Sequence, residues 1–350
     1  MKIAIILGTR PEIIKLSSII RYCEKKKLDY YIIHTNQHYS PELDDIFFQD
    51  LKLPTPKYNL NIDKYSQNKQ LGEMLIGIED VFKDNRPDVT IVQGDTNSVL
   101  AGAFVSSRFN IEIAHVEAGL RSKDRRMPEE INRIITDSIS TYFFCPTKKP
   151  KRTLIREGNK RKNIFIVGNT VVDAILWARN NTTNILKRNN LEKNKYCLLT
   201  MHRAENVDDK ERLDMLLRHI SSLKREKVIF PIHPRTKKML LKHSLKLPVN
   251  VISIDPVGFL DMVTLEKNAK LILTDSGGLQ EEACVLKVPC ITIRTTTERP
   301  ESIDVGANIL MSENLQEDFD KMASIKRDWK NPFGDGKSGE RIINILLKQE

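Results

Sequence analysis

The sequence predicts an α/β protein of two doubly wound, Rossmann-like domains facing one another, and three observations predict it. Apolar runs without alternation, such as residues 2–7 and 88–93, read as strands buried on both faces. Each run ends in a polar loop that opens a helix, which is the cycle of a parallel sheet with crossover helices. That cycle restarts in the second half, and 350 residues are enough for two separate cores. The expected division is residues 1–168 for the first domain and 169–337 for the second.

In order along the chain, residues 2–7 form the first strand and Gly8-Thr9-Arg10-Pro11 opens a helix to about Lys26, with proline suited to its first turn. Arg10 thus sits at the carboxyl end of a strand, where open α/β sheets bind ligands, with Lys15 one turn along. Both could face an anion, but on the sequence alone Lys15 reads first as an ordinary solvated helix lysine, whereas the mouth position of Arg10 favours function. Residues 29–35 form the second strand, followed by a loop and a helix over about 42–48. His34 and His38 straddle a strand end and a loop, so their spacing does not build a metal pair. An amphipathic helix covers 67–83, and the strand at 88–93 ends in Gly94-Asp95-Thr96-Asn97. Asp95 is either a rim carboxylate or a helix N-cap. The strand at 111–116 delivers Glu117 to the same rim. Glu129 opens the helix that starts at Pro128, where it complements the helix dipole and can pair with Arg133 at i, i+4.

Strands at 142–145 and 164–167 close the first half. The second half begins with a strand at 196–200 whose mouth carries His202, and continues with strands at 227–232, 249–254, 270–274 and 288–294. The 270–274 strand leads into Asp275-Ser276-Gly277-Gly278, expected as a tight turn, then a helix over 279–286 that opens on Glu281 and Glu282. A hydroxyl and two residues without Cβ at a helix N-terminus make a phosphate site, and an acid one turn on can accept from ribose hydroxyls. The plain alternative is a capped helix whose glycines serve only the turn. Gly336-Lys337-Ser338 is not a P-loop, because Asn331 replaces its first glycine and no strand precedes it. Residues 338–348 instead form an amphipathic final helix.

Composition narrows the class without choosing a function. Five cysteines, odd in number and without a CxxC pair, suit a reducing compartment, and the six-residue apolar start is too short for a signal peptide, so a cytoplasmic protein is expected. No run is long enough to span a membrane. The net charge of +10 fits acidic small substrates or a lysine-rich surface; the basic runs at 148–156 and 160–162 lack interleaved aromatics and read as solvated faces, not as a nucleic-acid interface.

With these residues in place, the chain resembles the non-hydrolysing UDP-N-acetylglucosamine 2-epimerases. The resemblance rests on eight stretches in order: GTRPEIIKL from Gly8, QGDTNSVLAG from Gln93, HVEAGLRS from His115, MPEEINR from Met127, TMHRAEN from Thr200, TDSGGLQEEA from Thr274, TTTERPE from Thr295 and NPFGDGKSGERI from Asn331. It implies the GT-B fold, with a cleft between domains, a final helix (about 338–350) that returns to the first domain, and a homodimer. Arg10, Lys15, Asp95, Glu117 and Glu129 match the family's first-domain substrate and catalytic residues. His202, the Ser276, Gly277 and Gly278 phosphate site, Glu282 at the ribose and Arg299 near the diphosphate match those of the second. At the uracil pocket Met262 stands where members often have an aromatic, and Val257 replaces a polar residue, which leaves backbone contacts to the base. Near the segment matching Gln37 to Glu42, bacterial members carry an allosteric substrate site; this chain keeps Gln37 and His38 and departs after them.

The implied substrates are UDP-GlcNAc and UDP-ManNAc, with no cofactor and no metal. C2 of the sugar is not beside a carbonyl, so its proton becomes acidic only as the C1–O bond to UDP breaks. Donors on the departing diphosphate, each worth up to roughly 3 kcal/mol, must therefore act with carboxylates that move the proton. Asp95, Glu117 and Glu129 are three candidates for two faces of C2. A GT-B glycosyltransferase, a hydrolysing epimerase and a nucleic-acid-binding module are the other classes considered.

Overall fold

A computed structural model describes residues 1–36, 47–62, 66–297 and 299–349, and divides the chain into two compact units, Met1–Ala174 with Gly334–Glu350, and Ile175–Phe333. The segment from Gln37 to Glu42 and most of the helix expected over 42–48 lie outside the described residues.

The first unit holds a seven-stranded sheet of β1 (Ile3–Leu7), β2 (Tyr30–His34), β3 (Tyr58–Asn59), β4 (Val89–Gln93), β5 (Glu112–Val116), β6 (Tyr142–Cys145) and β7 (Ile164–Ile166). The strand order is β3-β2-β1-β4-β5-β6-β7, and every neighbouring pair is parallel. Every residue of β1 and β4 is buried, as unalternating apolar runs require when helices cover both faces. On one face the helices Gln67–Asp84 and Asn97–Arg108 pack Met74, Ile78, Val99 and Ala103 against Ala4, Ile6 and Val92. Ser338–Leu346 belongs to this unit and lies on the helix Arg10–Lys26, where Tyr22 donates to Asn344 at 3.1 Å. Gly339 is needed there, since a Cβ would come within 2.8 Å of the Ser18 carbonyl carbon.

The second unit repeats the plan with β8 (Cys197–Thr200), β9 (Val228–Pro231), β10 (Val251–Ile254), β11 (Leu271–Thr274), β12 (Cys290–Thr292) and β13 (Asn308–Leu310), ordered β10-β9-β8-β11-β12-β13 and parallel throughout. Leu199, Phe230, Leu273 and Ile291 meet Leu213, Leu216 and Phe319 in its core. The α/β class is as the sequence predicts. β12 is shorter than the 288–294 run: past Thr292 the chain turns, with Arg294 N donating back to the Thr292 carbonyl at 2.8 Å, and the Arg294 side chain pairs with Glu205 at 2.9 Å. All five cysteines are buried and unpaired. Among the described residues no helix is long and apolar enough to cross a membrane.

Candidate active site

Both sheets reverse their strand order at one point, between β1 and β4 in the first unit and between β8 and β11 in the second. Loops diverge from such a point and leave a crevice at the carboxyl ends of the strands. The expected residues of each unit gather there.

In the first unit, Glu117 directly follows β5 and is 7% exposed. Its Oε2 accepts from Lys15 Nζ at 2.7 Å and from Gln93 Nε2 at 2.5 Å. Lys15 is therefore no solvated lysine. Glu117 also sits at φ +65°, a left-handed conformation that costs a residue with a Cβ about 1–2 kcal/mol, and the two donors hold it there. Asp95, two residues past β4, pairs with Arg133, while Asn132 Nδ2 donates to its backbone carbonyl at 2.9 Å. The N-cap of Asn97–Arg108 is Thr96, whose hydroxyl accepts from Val99 N, so Asp95 is released from that task. Burial raises the Asp95 carboxyl above its ordinary range against the pull of Arg133, and Glu117, Lys15 and Glu129 all act on it.

Glu129 is exposed at the first turn of the helix Pro128–Ile139. The expected Glu129–Arg133 pair is corrected: Arg133 bonds Asp95 and, at 3.3 Å, Glu130. Glu130 is the buried acid of the two, and its carboxylate accepts from Ser122 N and Lys123 N at 2.9 Å each, which fixes the basic loop and draws Arg133 to its side of the helix. Arg10 begins its helix with the guanidinium 5.2 Å over the Phe47 ring.

Two buried acids support this rim without having been expected. Glu12 accepts from Gly8 N at 3.0 Å, Thr9 Oγ1 at 2.8 Å and Thr96 Oγ1 at 2.7 Å, which ties the β1 and β4 loops together; desolvation outweighs those donors and pushes its pKa up to about 7. Asp137 meets His115 Nδ1 at 2.7 Å, Arg121 at 2.7 Å and Gly119 N at 3.1 Å, and these partners overcome its burial and hold it below the usual carboxylate range. His115 Nε2 reaches the Gly94 carbonyl at 2.8 Å, so this network ends one residue before Asp95. Gln93, the last residue of β4, and Glu12, in the first turn of a rim helix, both occupy positions that the strand pattern marks as the rim.

In the second unit the helix runs Gly277–Leu286, so the expected turn at Gly277 and Gly278 is corrected: both glycines are helical and form the first turn. Their use is therefore not a turn conformation but bare backbone donors. Ser276 is the N-cap residue and places no side-chain hydrogen bond on its own helix. A Cβ on Gly278 would lie 3.6 Å from Glu282 Oε1 and 3.8 Å from Ser276 Oγ, so the hydroxyl, the helix N-terminus and the acid share one corner. Asp275, wholly buried, accepts from His202 N at 3.0 Å, Arg203 N at 2.9 Å and Asn206 Nδ2 at 3.1 Å, and locks the β8 loop beside the helix. The His202 ring is 3.3 Å from Asp275 and stacks obliquely with His233 at 5.3 Å between centroids. Arg299 pairs with Glu281 one helical position from Glu282. Met262 lies on the neighbouring helix Phe259–Asn268, half-buried. Among the described residues no group of three or more His, Cys, Asp or Glu could hold a metal ion.

The model of the family described as UDP-N-acetylglucosamine 2-epimerase matches residues 21–347. The chain belongs to that family. It is thereby an epimerase, an isomerase by class. It is 56% identical over 361 residues to the UDP-N-acetylglucosamine 2-epimerase of Methanocaldococcus jannaschii, covering 99% of both chains. A crystal structure of the enzyme from that organism, in complex with UDP-GlcNAc and UDP, superposes with a TM-score of 0.86 at 56% identity and covers 99% of this chain and 100% of that one. A more distant member, the UDP-2,3-diacetamido-2,3-dideoxy-D-glucuronate 2-epimerase of Pseudomonas aeruginosa, is 39% identical over 357 residues, covering 99% of this chain and 100% of its own. Likeness to GT-B-like epimerase structures extends along both units.

Proposed function

We propose that the protein interconverts UDP-GlcNAc and UDP-ManNAc by eliminating UDP and adding it back. The C1–O bond breaks as a carboxylate takes the C2 proton, giving 2-acetamidoglucal and UDP. A second acid then protonates C2 on the other face, and UDP returns to C1. The observation that carries this reading is the cluster at adjacent strand ends, Asp95 and Glu117 with Lys15 and Arg133. Two carboxylates in unlike surroundings suit the two proton transfers: Asp95 is raised by burial, whereas Glu117 takes two donors on one oxygen. Glu129, exposed nearby, is the third candidate. Ser276, Gly277, Gly278, Arg10, His202 and Arg299 would hold the diphosphate, Glu282 the ribose, and the chain beside Met262 the base.

Incubation with UDP-GlcNAc alone in D2O tests this. The expected product is UDP-ManNAc with deuterium at C2, seen by NMR, with traces of UDP and 2-acetamidoglucal. Free N-acetylmannosamine would mean hydrolysis, and product without deuterium would exclude exchange at a side chain. The 39% identical relative supports a second reading, in which a diacetamido uronate replaces the substrate sugar while C2 inversion is retained. Comparing kcat/KM for the two nucleotide sugars decides between them. The family resemblance also argues for a homodimer; sedimentation at micromolar concentration that gave a 40.3 kDa species would exclude it.

A further inference from the structure

Glu266, on the helix Phe259–Asn268, is 0% exposed, and neither of its carboxyl oxygens meets an N–H or O–H donor among the described residues. What the group does meet is the carboxyl of Glu282, on the adjacent helix Gly277–Leu286. Two ionised carboxylates in contact inside a protein repel, and neither could supply a hydrogen to the other. A single proton between them removes both difficulties. Among the described residues Tyr196 and Cys290 also feel Glu266; both are acids that burial keeps neutral, so neither brings a compensating positive charge. The Tyr196 hydroxyl is moreover committed to the Leu265 carbonyl at 2.6 Å.

Location decides which partner holds the proton. Glu266 is sealed, whereas Glu282 is half-buried and points an oxygen toward the Gly278 and Ser276 corner. Burial accordingly raises the Glu266 carboxyl well above its usual range.

We propose that Glu266 is a positioning residue for the nucleotide: its carboxyl O–H donates a hydrogen bond to the Glu282 carboxylate and fixes it to receive the ribose hydroxyls. This rests on the reading of Glu282 as the ribose acceptor. The donated bond does two things at once. It holds the Glu282 side chain in one rotamer before the nucleotide arrives, and it leaves the negative charge on the member of the pair that ligand can reach.

Calorimetric affinities for UDP and 2′,3′-dideoxy-UDP test the proposal in the wild type and in Glu266→Gln, Glu266→Leu and Glu282→Gln. In the wild type UDP should bind more tightly than its dideoxy analogue. Glu266→Leu removes the donor and should weaken UDP roughly tenfold while leaving the dideoxy analogue unchanged. Glu266→Gln keeps an N–H donor and should restore the preference for UDP, a rescue that mere packing would not produce. Infrared spectra at neutral pH should show a protonated carboxyl C=O band in the wild type that Glu266→Gln loses, a readout that stands even if Glu266→Leu fails to fold. If Glu282→Gln abolishes the ribose preference while both Glu266 variants retain it, the positioning role is overturned and the ribose reading survives. If Glu282→Gln itself leaves the preference intact, the ribose reading falls and this proposal falls with it.

Discussion

The two units use one strand order to make two chemically different crevices. In the first, the segments after β1, β4 and β5 present side chains: Lys15 from the helix Arg10–Lys26, Asp95 and Glu117 from the loops and, from a helix beyond, Arg133. In the second, the helix after β11 presents backbone at the open first turn of Gly277 and Gly278, while the β8 loop, whose His202 and Arg203 N–H groups are taken up by Asp275, presents the His202 ring. Titratable groups that move protons have to be tuned by neighbours, so they sit in a web of charge. Donors for a diphosphate need only be fixed and close, and in the reading proposed above a bare helix end supplies part of them with no titratable side chain. Topology sets where each crevice lies; the residues within a few positions of the strand ends set what it does.

Breaking the first crevice should have the largest effect on turnover and little effect on nucleotide affinity. Asp95→Asn and Glu117→Gln keep shape but lose basicity, and each should lower kcat about 10²-fold or more, with UDP affinity by calorimetry near that of the wild type. Glu129→Gln distinguishes the exposed candidate from the buried Glu117 and the half-buried Asp95. A comparable loss would add it to the proton-moving set, and near-normal turnover would reduce it to a dipole-complementing acid. Near-normal turnover in all three would remove the chemistry from this rim.

Breaking the second crevice should reverse the pattern. Gly278→Val should fold, because no atom stands within 3.4 Å of the added Cβ, and a β-branched residue in a helix is no worse than glycine. Its side chain would fill the corner shared by Ser276 and Glu282, so UDP affinity should fall roughly tenfold to a hundredfold. Unchanged affinity would show that the helix N-terminus is not the anion site.

Most of the strands and the rim positions were legible in the sequence, and what escaped has physical reasons. Fully buried parallel strands such as Ile3–Leu7 and Val89–Gln93 are short, mostly apolar runs without alternation, ending in a polar loop that opens a helix. The edge strands Tyr58–Asn59 and Asn308–Leu310 were not expected, because two or three residues carry no period. Asp95 and Glu117 announced themselves by following strands. Gln93 and Glu12 held rim positions as well, but what they do, like what Asp137 and Glu266 do, turns on partners distant in sequence: Glu12 reaches Thr96, and Glu266 on one helix meets Glu282 on the next. The choice between Glu129 and Glu130 as the buried acid depended on where the loop at 122–123 folds back, which no local pattern encodes.

The smallest expected effect sharpens the comparison by asking whether the first crevice carries a pH response of its own. Glu12 has its pKa raised from the ordinary 4.5 to about 7, with desolvation the leading cause. Between those values the native state holds a proton that the unfolded chain has released, so the first unit should lose stability as pH rises, by about 3 kcal/mol in all. Glu12→Gln should flatten that slope. Its carbonyl oxygen can still accept from Gly8 N and Thr9 Oγ1, while its amide can donate to Thr96 Oγ1, so the loops stay tied without a titrating group. Tryptophan fluorescence would miss the effect, because both tryptophans, Trp177 and Trp329, lie in the second unit. Amide hydrogen exchange in β1 and β4, corrected for intrinsic rates and followed from pH 5 to 8, reads the first unit directly. Protection should decline with pH in the wild type and change less in Glu12→Gln, while β8 and β11 behave alike in both proteins. Equal slopes in β1 and β4 would mean that Glu12 does not titrate in this range, and that its three donors outweigh its burial.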